Sequence, residues 1–130
     1  MGKAGTTTDF YSGILTNEYC KPIDANLDRI GWYCGNAEGS THEVGQKEPN
    51  NFGLFDMSGN VWEWCWDSYN LAYYTETAVT DPKCETKRYN SVVRGSHFGY
   101  HASDCRSAWR GYARPSTQLG SGGFRVMRTY

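Results

Sequence analysis

Asn51-Phe52-Gly53-Leu54-Phe55-Asp56-Met57-Ser58-Gly59-Asn60-Val61-Trp62-Glu63-Trp64-Cys65-Trp66-Asp67 is the stretch on which the fold turns. Its second half alternates strictly. Trp62, Trp64 and Trp66 fall on one face of an extended chain; Val61, Glu63, Cys65 and Asp67 fall on the other. A period of two predicts a β-strand, because successive side chains leave a strand on opposite faces. Ser58-Gly59-Asn60 ahead of it reads as a turn. Downstream, 68–90 is a Tyr-rich polar loop that runs into a second predicted strand, Tyr89 to Arg94. Gly95 to Gly123 has no long apolar run, and Phe124 to Arg128 is a plausible last strand. Upstream, Asp24 to Ile30 predicts one short helical turn before Gly31, and Trp32-Tyr33-Cys34 leads into a Gly35-Asn36 turn. Residues 35–51 are mostly loop, with room for a short extended piece at His42–Val44. No repeat or linker interrupts the chain, so 1–130 reads as one α+β unit with little regular secondary structure.

Composition supports this. The chain has 130 residues, the size of one domain. Five Trp, 10 Tyr and 5 Phe offer enough area to bury that disorder is a poor reading. Leu occurs only at 15, 27, 54, 71 and 119 while Gly occurs 15 times, which argues against a helical bundle. No stretch approaches the roughly 18 apolar residues of a membrane span. The opening MGKAGTTTDF is not a signal peptide, and the compartment stays open. A net charge of −1 argues against general nucleic-acid binding. The charge is unevenly spread, however: residues 94–130 hold 6 Arg and a single acid, Asp104. Arg stacks on Tyr and Trp as structural cement, so most of these arginines are expected to hold the fold together. Five cysteines (20, 34, 65, 84 and 105) are an odd number, and none forms a C-x-x-C. At least one is therefore free or paired between chains if the others form disulfides.

The 51–65 block resembles the signature of the formylglycine-generating enzyme (sulfatase-modifying factor) family. Further matches keep the family's order: Ile30 to Asn36, Asp81-Pro82, Val92 to Gly95, Cys105 to Ala108, Arg110, Pro115 and Gly123 to Val126. They span roughly residues 25–128. The resemblance implies the family's C-type-lectin-like α+β fold. It also implies that the family's N-terminal part, including a helix of the E-W-E-Y-A type, precedes the segment resembled by Lys3 to Thr8. A partner or that missing segment would then cover the N-terminal side. Some relatives are ligand-binding variable proteins of diversity-generating retroelements.

Members that oxidise a substrate cysteine hold copper between two cysteines in the segment after an R-G-G-S motif, and two thiolates suit Cu(I). The matching segment here, Arg94 to Cys105, contains one Cys, in a position that non-catalytic relatives also fill. Copper and oxidase activity are therefore not expected. The alternative, a sulfatase-modifying oxygenase, would need Cys65 beside Cys105.

The resemblance implies a structural Ca²⁺ at Asp56, Gly59, Val61 and Glu63, two by side-chain oxygens and two by backbone carbonyls. A hard cation takes six to eight oxygens, which a tight turn can supply. The competing reading is that Asp56 caps the turn and Glu63 pairs with an arginine. A second site near Asn26-Leu27 matches loosely. His97, His101 and Cys105 are spaced by four, as zinc ligands on a helix would be, but Gly99 makes a loop with a structural Cys the better reading.

The expected function is binding of a protein or carbohydrate ligand on a surface formed by about 97–121, with Phe98, Tyr100, His101, Asp104, Trp109, Tyr112 and Arg114 in contact. Tyr, Trp, Ser, Gly and Arg are the chemistry of adaptable sites. Residues 96–122 contain no Lys, Glu or Asn. Adenine-directed mutation of Asn codons would produce most of the residue types found there, though not Trp109 or Gln118; ordinary loop divergence is the competing account.

Overall fold

Residues 3–72, 84 and 89–126 are described by the structure, a computed structural model. Asp81-Pro82 and the Met127-Arg128 end of the predicted last strand lie outside the described residues. In chain order the elements are α1 (Ala25–Asp28), β1 (Gly31–Trp32), β2 (Ser58–Gly59), β3 (Trp62–Ser68), β4 (Ser91–Arg94), a 3-10 turn (Ala102–Cys105), β5 (Gly111–Ala113) and β6 (Gly122–Gly123). β1 and β2 form a small parallel pair, and the other strands form a sheet in the order β5-β4-β3-β6. This is an α+β architecture in which loops make up most of the chain.

One buried carboxylate organises the N-terminal third. Asp24 is fully buried and caps α1: its Oδ1 accepts from the N–H of Asn26 at 3.0 Å and of Leu27 at 2.9 Å. Its Oδ2 accepts from Thr16 N–H at 2.6 Å, Thr16 Oγ1 at 2.7 Å and Asn17 N–H at 3.0 Å. The carboxylate thus ties the 14–23 loop to the helix. The Asp24 N–H in turn donates to the Tyr33 hydroxyl at 2.8 Å. Phe10, Leu27, Ile30, Tyr33, Ala102 and Cys105 form the hydrophobic core, so the 3-10 turn packs against α1 across a gap of more than seventy residues in sequence.

β1 and β2 meet so closely that both need glycine. A Cβ on Gly59 would lie 2.1 Å from the Trp32 carbonyl oxygen, and one on Gly31 would lie 2.1 Å from that of Ser58. Gly59 also has φ +78°, a region side chains disfavour. Gly59→Ala is expected to lower stability by about 3 kcal/mol or more, since backbone must move on both strands. Urea denaturation checks this, and a loss under about 1 kcal/mol would contradict it.

β3 is the predicted Trp strand, and β4 begins at Ser91 inside the predicted 89–94 stretch. The three tryptophans placed on one face by alternation differ in burial. Trp62 is 7% exposed and Trp66 is 98% exposed. The pairing with β4 shifts register between Trp64 and Ser68, so alternation no longer tracks burial beyond Trp64. The last strand is also displaced. It is Gly122–Gly123, parallel to Trp62–Glu63, while Phe124 to Val126 are not strand. The His42–Val44 piece is irregular as well. Asn60 holds it instead: its side chain accepts from the His42 N–H and donates to the His42 carbonyl, both at 3.0 Å.

Candidate functional site

Two clefts open on either side of the 51–63 block. The first, about 420 Å³, brings Asp56, Gly59, Val61 and Glu63 together, with Arg125 beside them. The turn that builds it is sharply bent: Asp56 has φ +54° and Asn60 has φ +64°. Asp56 Oδ2 accepts the Gly45 N–H at 2.8 Å, while its buried Oδ1 has no hydrogen-bond partner. Glu63 is paired with Arg125, whose Nη2 donates to Glu63 Oε1 at 2.6 Å and whose Nε donates to Oε2 at 3.0 Å. The same Nη2 reaches the carbonyls of Phe55 at 2.9 Å and Asp56 at 3.2 Å. The arginine therefore meets Glu63 while one Asp56 oxygen remains for a further positive group. Among the described residues, no three His, Cys, Asp or Glu side chains are placed to hold a metal. A cation here would thus depend on backbone carbonyls as well as the two carboxylates. Burial, then Asp56 and Glu48, push the nearby Tyr11 hydroxyl up to about 12, so it stays protonated as donor to the Glu48 carbonyl at 2.6 Å.

The second cleft, about 280 Å³, is aromatic. β3 supplies Trp62, β5 supplies Tyr112, and the connections supply Tyr69, Tyr100, Trp109 and Arg110. Trp62 forms the floor, with ring centroids 5.0 Å from Trp109 and 5.4 Å from Tyr100. Tyr69 and Tyr112 pair at 4.6 Å, with the Arg110 guanidinium 5.2 Å above Tyr69. Backbone placement comes from arginine. Arg94 Nη1 donates to the carbonyls of Ser107, Ala108 and Trp109 at 3.3, 3.4 and 2.9 Å, and Arg106 Nε donates to the Ser103 carbonyl at 2.7 Å. With Arg125 on Glu63, much of the C-terminal positive charge is spent on structure.

Of the predicted contact residues, Tyr100, Trp109 and Tyr112 line this cleft. Phe98, His101, Asp104 and Arg114 do not. Phe98 packs on His97 at 5.1 Å, and His101 meets Tyr19 at 5.7 Å. Asp104 sits in the 3-10 turn, and Arg114 is exposed beyond β5. Trp62, Tyr69 and Arg110 also line the cleft, outside the set expected from the sequence. The available signal for Trp62 was its place at the start of an alternating strand; Tyr69 and Arg110 carried none, since their approach depends on the β4–β5 pairing.

The cysteines divide by environment. Cys20 and Cys34 form a disulfide, while Cys65, Cys84 and Cys105 are free. Cys105 lies in the hydrophobic core, where burial pushes its thiol up to about 12. Cys65 is half-buried on β3, and burial raises its thiol as well. His97, His101 and Cys105 occupy three different surroundings: His97 packs on Trp62, His101 on Tyr19, and Cys105 in the core.

This architecture recurs in solved structures. Treponema denticola variable protein 1 superposes with a TM-score of 0.75 at 31% identity, over 95% of this chain and 41% of that one. PvdO from Pseudomonas aeruginosa superposes with a TM-score of 0.76 at 27% identity, over 95% of this chain and 46% of that one. The family model of the sulfatase-modifying factor enzyme 1-like domain matches residues 13–130, and the chain belongs to that family. The formylglycine-generating enzyme of Streptomyces coelicolor is 38% identical over 89 residues. That match covers 66% of this chain and 28% of the enzyme, and the chain spans less than half the length of each of these relatives. Among the described residues, no helix is long and apolar enough to cross a membrane.

Proposed function

We propose that this domain is a ligand-binding module of the sulfatase-modifying factor family, and that its ligand enters the aromatic cleft. The observation that carries this reading is the convergence of Trp62, Tyr69, Tyr100, Trp109 and Tyr112 on one cleft from separate parts of the chain. Such walls take a flat apolar face, either an aromatic side chain of a protein or the C–H face of a sugar ring. Arg110 edges the cleft, held there by its Nη2 donating to the Asn70 carbonyl at 3.1 Å. The resemblance to a variable protein supports the same reading. Paired arrays of immobilised glycans and of aromatic-rich peptides separate the two sources. Binding to either that is lost in Trp109→Ala and weakened in Tyr112→Ala supports the proposal. Formylglycine formed in a Cys-containing peptide, with loss on Cys105→Ser, would replace it with the oxygenase reading.

Ca²⁺ is proposed as a structural ion of the acidic cleft. Asp56 and Glu63 would hold it by side-chain oxygens, Glu63 sharing its carboxylate with Arg125, and Gly59 and Val61 by carbonyls. The unpartnered Oδ1 of Asp56 supports this. When bound, the ion supplies charge neutralisation and cross-links the turn to β3. At Ca²⁺ well above its Kd, the wild-type melting temperature is expected to rise by on the order of 5 °C over EDTA. Asp56→Asn should abolish the difference. An equal rise in that variant would rule out Asp56 as a ligand.

A further inference from the structure

The Cys20–Cys34 disulfide is fixed at one end to a loop and at the other to the segment that forms one wall of the aromatic cleft. The Cys34 N–H donates to the Tyr100 carbonyl at 3.1 Å. Two residues before Cys20, the Glu18 carbonyl accepts the Ser103 N–H at 3.1 Å. Between these bonds, the Tyr19 ring meets His101 edge-on at 5.7 Å. The 100–103 segment therefore leans on both loop segments joined by the disulfide. Tyr100 carries that placement into the cleft, where its ring stands 5.4 Å from Trp62 and 4.5 Å from His97.

The remaining tethers make the effect of the disulfide local. The base of the loop, Thr16 and Asn17, is held by Asp24 independently of sulfur. The tip is held by the disulfide, by Lys21 Nζ donating to the Gly35 carbonyl at 2.7 Å, by close packing of the Cys20 carbonyl over Gly35, and by the Asn17 side-chain amide donating to the carbonyls of Tyr19 at 3.2 Å and Pro22 at 2.5 Å. Both disulfide cysteines are partly exposed, whereas Cys84 and Cys105 are buried.

We propose that Cys20–Cys34 is a redox clamp on the Tyr100 wall of the ligand cleft, opened by a dithiol reductant. The proposal rests on the binding role given to that cleft. In the opening step, a thiolate of the dithiol attacks one sulfur, the Cys20–Cys34 bond breaks, and a mixed disulfide forms. The second thiol of the reductant displaces the remaining cysteine. The products are two protein thiols and a cyclic disulfide, and the dithiol has supplied two electrons and two protons. Asn17 and Lys21 still tether the tip, but without the covalent bond the contacts of Glu18 with Ser103 and of Tyr19 with His101 loosen, and with them the placement of Tyr100 against Trp62.

Amide hydrogen exchange on the ligand-free chain tests this, comparing the oxidised protein, the protein reduced with dithiothreitol, and a Cys20→Ser/Cys34→Ser variant. The backbone amides at positions 34 and 103 are expected to exchange at least about tenfold faster in both altered forms. Val92 to Arg94 should keep their protection, and near-ultraviolet circular dichroism should show loosened Trp62 packing. Unchanged exchange at 34 and 103 would overturn the clamp. So would an equal acceleration across β4, which would make the disulfide a staple for the whole fold. Because no ligand is present, this outcome is independent of whether Tyr112→Ala weakens binding.

Discussion

Asp24→Asn is expected to destabilise the protein by about 4 kcal/mol. Hydrogen bonds to a charged group each contribute about 1.5–3 kcal/mol, and several made by one carboxylate are not additive. Five donors converge on Asp24: two from the first turn of α1, two backbone N–H groups of the 14–23 loop, and the Thr16 hydroxyl. An amide keeps one acceptor oxygen. Its NH₂ must then face N–H groups on the other side, so buried donors lose their partner. Burial alone would raise the Asp24 carboxyl. The hydrogen bonds from the Thr16 side chain and from the backbone of Leu27, Thr16 and Asn17 outweigh it and hold the group below the ordinary Asp value. A depressed folded-state value contributes stability that is present above the unfolded Asp value, about 3.9, and is lost as pH falls through the folded value. Urea denaturation at pH 7 and at successively lower pH therefore reads the effect twice. Wild type should lose stability as pH drops below about 4. Asp24→Asn should start lower at pH 7 and show a shallower acid decline. A variant within about 1 kcal/mol of wild type at pH 7 would show that the hub is not a major support. Thr16→Ala, which removes one of the five donors, should cost about 1 kcal/mol.

Trp109→Ala is expected to weaken ligand binding by about 30- to 1,000-fold, the range of 2–4 kcal/mol for an aromatic anchor at the centre of a desolvated site. Trp109 lines the cleft and packs tilted on Trp62 at 5.0 Å, so its loss removes one wall and loosens the floor. Tyr112, 59% exposed at the rim, should cost less when truncated, about tenfold. Arg114→Ala, on an exposed position outside the cleft, should change affinity by less than about twofold. Calorimetry with the ligand recovered from the arrays, alongside melting curves that confirm folding, gives all three values. Equal losses for Arg114→Ala and Trp109→Ala would move the binding surface off the cleft and onto the wider 97–121 face.

The site was legible in part, and the residues show where legibility stops. Asp56, Gly59, Val61 and Glu63 were nameable together because they are near neighbours in sequence on one turn and strand, and the structure lines one cleft with them. The aromatic cleft draws on positions 62, 69, 100, 109, 110 and 112, which come from separate segments. Tyr100, Trp109 and Tyr112 could be chosen by residue type alone. The same chemical reasoning selected Phe98 and His101, which turn instead toward His97 and Tyr19. Residue type states what a side chain can do; only its neighbours decide which way it faces. The cysteines make the same point, since their count required an odd one out but could not choose Cys20 and Cys34 as the pair.

By itself, the sequence determined the loop-rich α+β class, the family, the one-turn helix after Asp24, and the strand through Trp62 and Trp64. Each depends on local signals: period-two alternation, a short stretch ending at Gly31, a run of specific residues around Ser58-Gly59-Asn60. The tertiary structure alone decided that Asp24 gathers Thr16 and Asn17, that Arg125 lies on Glu63, that the register shift in β3 leaves Trp66 in solvent while Trp62 floors a cleft, and that the last strand falls on Gly122–Gly123. These are contacts between residues far apart in the chain. They form only when several loops close at once, and no periodicity within any one of them encodes which surfaces will meet.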